Sequence, residues 1–139
     1  MKRQEPKLST NTSLAVLVEC VALPLLRRHP GRVCYESNID LELMTTASPD
    51  HLRSLIESLV KDSLDQMPDD GELTVSGCIT ANGVELEIAD TGSDAQHRGQ
   101  SLSIFAAALG CKPHWQNCPQ GGAAVTIVLP FNNAARKAA

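Results

Sequence analysis

The sequence predicts an α+β fold in two layers, a two-layer α/β sandwich with one mixed, mostly antiparallel sheet and helices on one face. Three observations predict it. Apolar residues recur at 3-and-4 spacing over residues 52–67, which is typical of an amphipathic helix. Residues 84–88 alternate between apolar and polar types directly after Asn82-Gly83, which indicates a β-hairpin. Strands and helices follow one another in an order that favours such a sandwich.

The first predicted element is a helix over residues 13–26. Its apolar residues lie all round, so we expect it to be mostly buried and to bend or end near Pro24. Two short strands are expected next, over residues 32–35 and 39–44, with Ser37-Asn38 as the turn between them.

A longer helix is expected to begin at Ser48-Pro49-Asp50. A serine cap, a proline at the first helical position and an acid in the first turn all favour a helix start there. Pro68 and Gly71 are expected to close the helix. Its apolar stripe consists of Leu52, Leu55, Ile56, Leu59, Val60, Leu64 and Met67, and Asp62 lies off that stripe.

The remaining elements complete one domain. We expect a hairpin of residues 72–79 and 84–88, a loop over 89–100, a short helix over 102–109 with Gly110 as its C-cap, and strands over 114–117 and 125–129 joined by a turn at 119–122. The domain is predicted to span residues 12–130, with a flexible N-terminus at 1–11 and a flexible C-terminal tail at 131–139.

Composition limits the classes of partner. The chain has 139 residues and a net charge of −4, so nucleic acid is not expected as the main partner, because phosphate binding needs a basic face. The apolar run over residues 14–26 is shorter than the roughly 20 residues of a spanning helix, and Glu19 and Pro24 interrupt it. We therefore expect a cytoplasmic protein that has no membrane as partner.

The five cysteines are odd in number and form no Cys-x-x-Cys pair, which suits free thiols in a reducing compartment. Cys111, His114 and Cys118 are close enough in sequence to be considered as a metal site. Because zinc sites usually have four ligands and no fourth is near, ordinary strand and loop residues are the favoured interpretation.

Four segments carry a family resemblance. In order, they are the helix over residues 55–68, the strand Glu87-Ile88-Ala89-Asp90-Thr91-Gly92, the segment Gly99-Gln100-Ser101-Leu102-Ser103-Ile104, and the closing strand from Gly121-Gly122 to Leu129-Pro130. They resemble the asparagine box, the two glycine boxes and the last strand of the GHKL superfamily, which includes histidine kinases, gyrase-type ATPases, heat-shock chaperones and mismatch-repair proteins. Over residues 12–130 the chain most resembles the ATP-binding catalytic domain of a bacterial sensor histidine kinase, which implies the Bergerat, or histidine kinase-like ATPase, fold.

The resemblance implies roles for individual residues. Asp90 would accept a hydrogen bond from the adenine amino group, and Gly92 would let the backbone pass close to the ring. Asp62 stands where the family has an asparagine that holds Mg²⁺, and Ser58 stands at the other box asparagine. The implied nucleotide-binding set is Asp90, Gly92, Asp62, Ser58, Gly99 and Leu102, with Asp62 as metal ligand and with ATP and Mg²⁺ as cofactors if the site functions. By itself, Asp90-Thr91-Gly92 is an ordinary turn after a strand, and only the order of the four segments distinguishes it.

The same comparison indicates a degraded nucleotide site. Asp62 replaces asparagine, and Asp94 stands at the second glycine of the Asp-x-Gly-x-Gly motif, so both positions add negative charge beside a polyphosphate. Ser101 and Ser103 replace later glycines, Ala123 replaces a threonine, and the loop over residues 93–98 is shorter than an ordinary ATP lid. For neutralising a γ-phosphate, Arg98 and Lys61 are the candidates that remain.

Three functions stay open. None of the four histidines lies in a phosphoacceptor context, so the chain is not expected to phosphorylate itself, and no catalytic residue is identified. The favoured function is a regulatory or protein-docking domain of bacterial signalling, whose partner is a kinase dimerisation domain, a response regulator or a sigma-factor regulator. One alternative is an ATP-binding kinase that acts in trans, of the histidine kinase or anti-sigma kinase type. The other is a fragment whose dimerisation part another chain supplies.

Overall fold

The computed structural model describes residues 11–98 and 103–130, and it confirms the α+β prediction. The predicted elements occur in the predicted order. The described residues also contain a short strand at the start and a 3-10 turn at Ala95–His97. The elements are β1 Thr12–Ser13, α1 Leu14–Arg28, β2 Val33–Asn38, β3 Met44–Thr45, α2 Pro49–Asp65, β4 Gly71–Thr80, β5 Gly83–Asp90, α3 Ser103–Ala108, β6 His114–Asn117 and β7 Ala123–Pro130.

Five of the strands form one mixed sheet in the order β2-β4-β5-β7-β6. β2 runs parallel to β4, and the other neighbours are antiparallel. β1 and β3 form a separate two-stranded antiparallel pair. The pairing places Asp90, the last residue of β5, opposite Leu73 of β4, at one end of the central strands.

The helices cover one face of the sheet. Leu73 and Val75 of β4 and Leu86 and Ile88 of β5 are buried, whereas the positions between them are half-buried or exposed. Burial of apolar surface is the main favourable term in folding, so this one-sided pattern fixes where α1 and α2 lie. The largest fully buried side chains are Leu14, Leu52, Leu55, Ile56, Leu59, Leu73, Leu86, Ile88, Ile127, Leu129, Val18 and Val60.

The long helix α2 begins as predicted. The Ser48 hydroxyl accepts a hydrogen bond from the His51 N–H at 3.5 Å, and Pro49 occupies the first turn. Every residue of the predicted apolar stripe is buried. The helix ends at Asp65, with Gln66 as its C-cap, and Gly71 belongs to β4 rather than to the helix end.

The hairpin prediction also holds, with Ala81-Asn82 as the turn between paired Thr80 and Gly83. Gly83 has a φ of 150°, and a Cβ there would lie 2.1 Å from the carbonyl oxygen of Leu129. Glycine is therefore required, because β5 and β7 approach each other too closely here for a side chain.

α1 extends beyond its predicted end. The helix continues through Pro24 to Arg28, because Val21 and Leu25 on either side of the proline are buried and their packing outweighs the lost backbone hydrogen bond. Most of its apolar residues are buried, as predicted, whereas Val16 and Leu23 are 53% and 36% exposed.

The predicted turn at Ser37-Asn38 does not occur. Both residues continue β2, because the parallel pairing with β4 runs without a break from Val33 opposite Gly71 to Asn38 opposite Ser76. The second predicted strand is reduced to Met44–Thr45, which pairs with β1.

Among the described helices, none combines the length and the apolar composition that a membrane crossing requires.

Leu59→Ala should lower the free energy of unfolding by about 2 to 5 kcal/mol, because it opens a cavity where α2 meets the sheet and the side chain is 1% exposed. Leu41→Ala is the matched control, since that side chain is 70% exposed and its loss should change stability by less than about 0.5 kcal/mol. Urea unfolding followed by circular dichroism measures both. Equal effects of the two substitutions would contradict the assignment of α2 as the centre of the core.

Candidate functional site

The candidate site lies at the end of β5, where the central sheet meets α2. Asp90 is buried there, with 3% of its surface exposed. Asp62 reaches the same place from α2, and its side chain is 26% exposed. At the start of β7, Gly122 lies against the Asp90 backbone, and a Cβ there would be 2.0 Å from the Asp90 carbonyl oxygen. The sequence motifs on β5, α2 and β7 thus meet at one point.

Both carboxylates are bound by a single arginine. Arg98 donates to the two carboxylate oxygens of Asp90, from Nη1 at 2.8 Å and from Nη2 at 2.7 Å, which is a bidentate pair. Its Nη1 also donates to Asp62 at 3.1 Å. Its Nε donates to the Ser93 hydroxyl at 3.3 Å and its Nη2 to the Ser93 carbonyl at 2.9 Å. A guanidinium has five N–H donors, so all of them are used.

The guanidinium is enclosed on its remaining sides. The Arg98 side chain is fully buried, and its carbon Cζ lies 5.9 Å from the centre of the Trp115 ring on β6, within the range of a cation–π interaction. The Ser93 hydroxyl in turn donates to the Gln66 side chain at the end of α2. The side chains of Ser93 and Arg98 therefore bind the loop after β5 to α2.

Gly92 has a different close contact from the one that the resemblance implies. Its N–H donates to Asp90 at 2.8 Å, and a Cβ there would lie 2.6 Å from the Cβ of Gln66 and 3.0 Å from Nη2 of Arg98. The absence of a side chain lets the loop pack against the end of α2 and leaves room for the guanidinium. The structure thus gives Gly92 a packing role within the chain.

Burial, hydrogen bonds and nearby charges together set the protonation of Asp90, Asp62 and Arg98. Burial alone would raise the pKa of Asp90, but hydrogen bonds from Arg98, from the Ser63 hydroxyl and from the Gly92 N–H outweigh it and lower the pKa below its ordinary value. Burial raises the pKa of Asp62, and the Arg98 charge reverses this only in part. Burial would lower the pKa of Arg98, but the bonds to Asp90 and the nearby charges raise it. Asp90 and Arg98 therefore form an ionised pair. Asp62 is the carboxylate that takes up a proton first as the pH falls.

Of the other residues predicted for the site, some lie on α2 or in the loop after β5 and others lie outside the described residues. Ser58 lies half-buried on α2, one turn before Asp62. Gly99 and Leu102, and with them the start of the second glycine box, lie outside the described residues. Lys61 is exposed on α2. Arg98, expected to face a γ-phosphate, is instead buried on the two aspartates, because a charged pair of aspartates inside the protein needs a cation.

Sequence reasoning missed four residues of this site: Ser63, Gln66, Ser93 and Trp115. A signal was present for the arginine itself, since a buried strand that ends in aspartate requires a counter-ion and Arg98 is the first lysine or arginine after it. The polar groups that complete the cluster could not be identified without the path of the loop.

The cysteine and histidine candidates do not form a described metal group. In the described part of the chain, no three His, Cys, Asp or Glu side chains come together in a way that could hold a metal ion. Trp115 of the same strand as His114 faces the buried side, opposite Val125, so His114 points to the other face of the sheet.

A cavity of about 300 Å³ opens beside Asp90 on the face of the sheet away from the helices. Its lining includes Glu72 and Thr74 of β4 and the turn from Cys118 to Gly121. Asp90 itself belongs to the lining, so the cavity reaches one of the two carboxylates that Arg98 binds, whereas Asp62 and Arg98 do not line it.

The fold is similar to solved histidine kinase structures. The nucleotide-free catalytic domain of histidine kinase ThkA is 16% identical with a TM-score of 0.72, and the match covers 86% of this chain and 93% of that domain. The mycobacterial sensor histidine kinase MprB is 15% identical with a TM-score of 0.72, and the match covers 86% and 97%. The ATP-binding domain of PrrB from Mycobacterium tuberculosis is 19% identical with a TM-score of 0.68, and the match covers 88% and 97%. No protein-family model and no curated protein matches the sequence.

Asp90→Asn should lower the free energy of unfolding by about 3 kcal/mol at neutral pH, because it leaves a buried guanidinium with Asp62 as its remaining carboxylate. The pKa of Asp90 is lower in the folded than in the unfolded chain, so its contribution is complete above the unfolded value of about 3.9 and is lost as the pH falls through the folded value. The difference between the two proteins should therefore be constant from neutral pH to about pH 5 and shrink below it.

Urea unfolding at a series of pH values measures this difference. The control is Asp65→Asn, an exposed position of the same helix as Asp62, which should leave stability nearly unchanged at every pH. The raised pKa of Asp62 acts with the opposite sign in both proteins, because its main cause is burial, and the variant loses only the part that comes from the Asp90 charge. An Asp90→Asn protein as stable as wild type at neutral pH would show that the pair does not stabilise the fold.

Proposed function

Because the chain has the fold of histidine kinase catalytic domains, we propose that it is a signalling domain that works through protein contacts and does not turn over ATP. Its partner is a kinase dimerisation domain, a response regulator or a sigma-factor regulator of a bacterial signalling system, and it acts in the cytoplasm. The proposal rests on the fold, on the charge of the candidate site and on the bonds that its carboxylates already make.

The observation that carries the proposal is the bidentate contact of Arg98 with Asp90. In the family that the sequence resembles, the adenine amino group needs a free carboxylate oxygen at this position. Here both oxygens of Asp90 accept from one buried guanidinium, at 2.7 and 2.8 Å. Asp90 also accepts from the Gly92 N–H and the Ser63 hydroxyl, which together with Arg98 fill the roughly four acceptor positions of a carboxylate. A base can therefore bind Asp90 only if it displaces one of these donors, and the charge-assisted bonds from Arg98 are about twice as strong as neutral ones.

The residues present do not fit Mg²⁺ with a polyphosphate in this arrangement. Asp62, the metal position, is paired with Arg98 at 3.1 Å, so one of its oxygens is already occupied by a cation. Asp94 is exposed on the same loop and adds a negative charge where phosphates would lie. With Arg98 buried, the other cation that the sequence offered for a phosphate is Lys61, which is exposed on α2.

A protein-docking role is supported by the outer face of α1. Val16, Cys20 and Leu23 are exposed at a spacing that places them on one side of the helix, and a shallow cavity of about 320 Å³ lies along them. Single exposed apolar residues are normal on any protein, but a continuous stripe on one helix is the form in which partner surfaces often occur.

Calorimetric titration with ATP and with ADP, each with and without Mg²⁺, tests the proposal. We expect no measurable binding up to millimolar nucleotide, which corresponds to a binding free energy weaker than about −4 kcal/mol. Asp90→Ala, confirmed as folded by circular dichroism, is the reference protein, and it should give the same null result.

Micromolar binding that disappears in Asp90→Ala would overturn the proposal. It would mean that the nucleotide displaces Arg98 unaided, and the trans-acting kinase would then become the function to test with a candidate partner and radiolabelled ATP.

A further inference from the structure

The outer face of α1 carries an apolar stripe that no described part of the chain covers. Val16 and Leu23 are 53% and 36% exposed, and Cys20 is exposed between them. The opposite side of the helix, which includes Val18 and Val21, belongs to the hydrophobic core. The stripe is therefore open to another molecule while α1 itself is held in place by the core.

Two charges of opposite sign lie on this face at equal distances from Leu23. Glu19 is four residues before Leu23 and Arg27 is four residues after it, and all three line the same shallow cavity of about 320 Å³. At a rise of about 1.5 Å per residue, each charge is about 6 Å from Leu23 along the helix axis. Glu19 and Arg27 are too far apart to pair within the helix, where residues three or four apart are neighbours. In the described part of the chain, the ion pairs involve other side chains.

This pattern is complementary to itself when a second α1 runs in the opposite direction. A two-fold axis beside Leu23 brings Leu23 of both copies together and places Glu19 of each copy opposite Arg27 of the other. A two-fold interface uses the same patch twice, so the patch has to be self-complementary. The antiparallel arrangement also sets the positive N-terminus of each helix beside the negative C-terminus of the other. A parallel pair would instead bring like charges together.

We propose that α1 binds α1 of a second copy of this chain as an antiparallel pair, with Leu23 on the two-fold axis and a Glu19–Arg27 ion pair on either side of it. This inference rests on the proposed docking function and deepens it by naming the molecule that covers this face. The face is a single helix of 15 residues, so the interface is small. Small interfaces belong to the weak class, so we expect a dissociation constant on the order of 100 μM.

Charge reversal tests the pairing, because two defective proteins should restore each other. Glu19→Arg sets arginine opposite arginine at both ends of the interface, and Arg27→Glu sets glutamate opposite glutamate. Each variant alone should therefore dimerise roughly tenfold or more weakly than wild type, because like charges face each other. In an equal mixture of the two variants, every arginine meets a glutamate, so heterodimers should form with about the wild-type affinity. Sedimentation equilibrium of the full chain over a range of concentrations measures all three samples.

Two kinds of control accompany the mixture. Arg53→Glu and Glu57→Arg make the same two changes of charge at exposed positions of α2, and each should dimerise as wild type does. Leu23→Gln removes the apolar contact on the axis and leaves both charges in place, so it should weaken the dimer roughly tenfold. All of these positions are at the surface, and circular dichroism checks that each variant is folded.

A wild-type chain that stays monomeric up to about 1 mM would overturn the inference. So would a dimer that neither charge reversal weakens, since it would form through another surface. A mixture that dimerises no better than its separate components would show that Glu19 and Arg27 do not face each other. These failures are distinct from that of the proposed function, which fails if the wild-type protein binds ATP at micromolar concentration.

Discussion

The buried contact between Arg98 and Asp90 is the interaction on which the rest of the site depends. A carboxylate with almost no solvent contact is costly unless it is paired and hydrogen-bonded, and Asp90 achieves both through one guanidinium. To deliver that guanidinium, the loop after β5 must fold back over the end of α2, where Gly92 leaves room and Ser93 meets Gln66. The loop takes this path because the buried carboxylate of Asp90 needs a positive charge beside it.

Local signals were sufficient for the elements that depend on local physics. The Ser48 cap, the apolar stripe of α2 and the hairpin turn all involve residues within a few positions of each other, and each was predicted from the sequence. β2 and α1 were misjudged because their bounds depend on distant partners. Ser37 and Asn38 look like a turn until β4 pairs with them, and Pro24 looks like a helix end until the core on both sides holds the helix together.

The sequence predicted which aspartates belong to the candidate site, but not the hydrogen bonds that they form. The motif order indicated that Asp90 and Asp62 belong to one site, and the structure brings both within hydrogen-bond distance of the same arginine. The arginine was expected to face phosphate because its position in the loop suggested nothing else. A long side chain can reach several places from one backbone position, so its destination is set by the nearest unpaired buried charge.

The charge of Asp90 does not need a bound ligand to be compensated. Here Arg98 satisfies it permanently within the chain, with Trp115 on one side and Asp62 on another. Removing the aspartate would leave the guanidinium without its main partner, so the pair stabilises each member whether or not a nucleotide ever binds. The charges of the site are thus compensated within the chain, and the fold does not depend on a bound ligand for this.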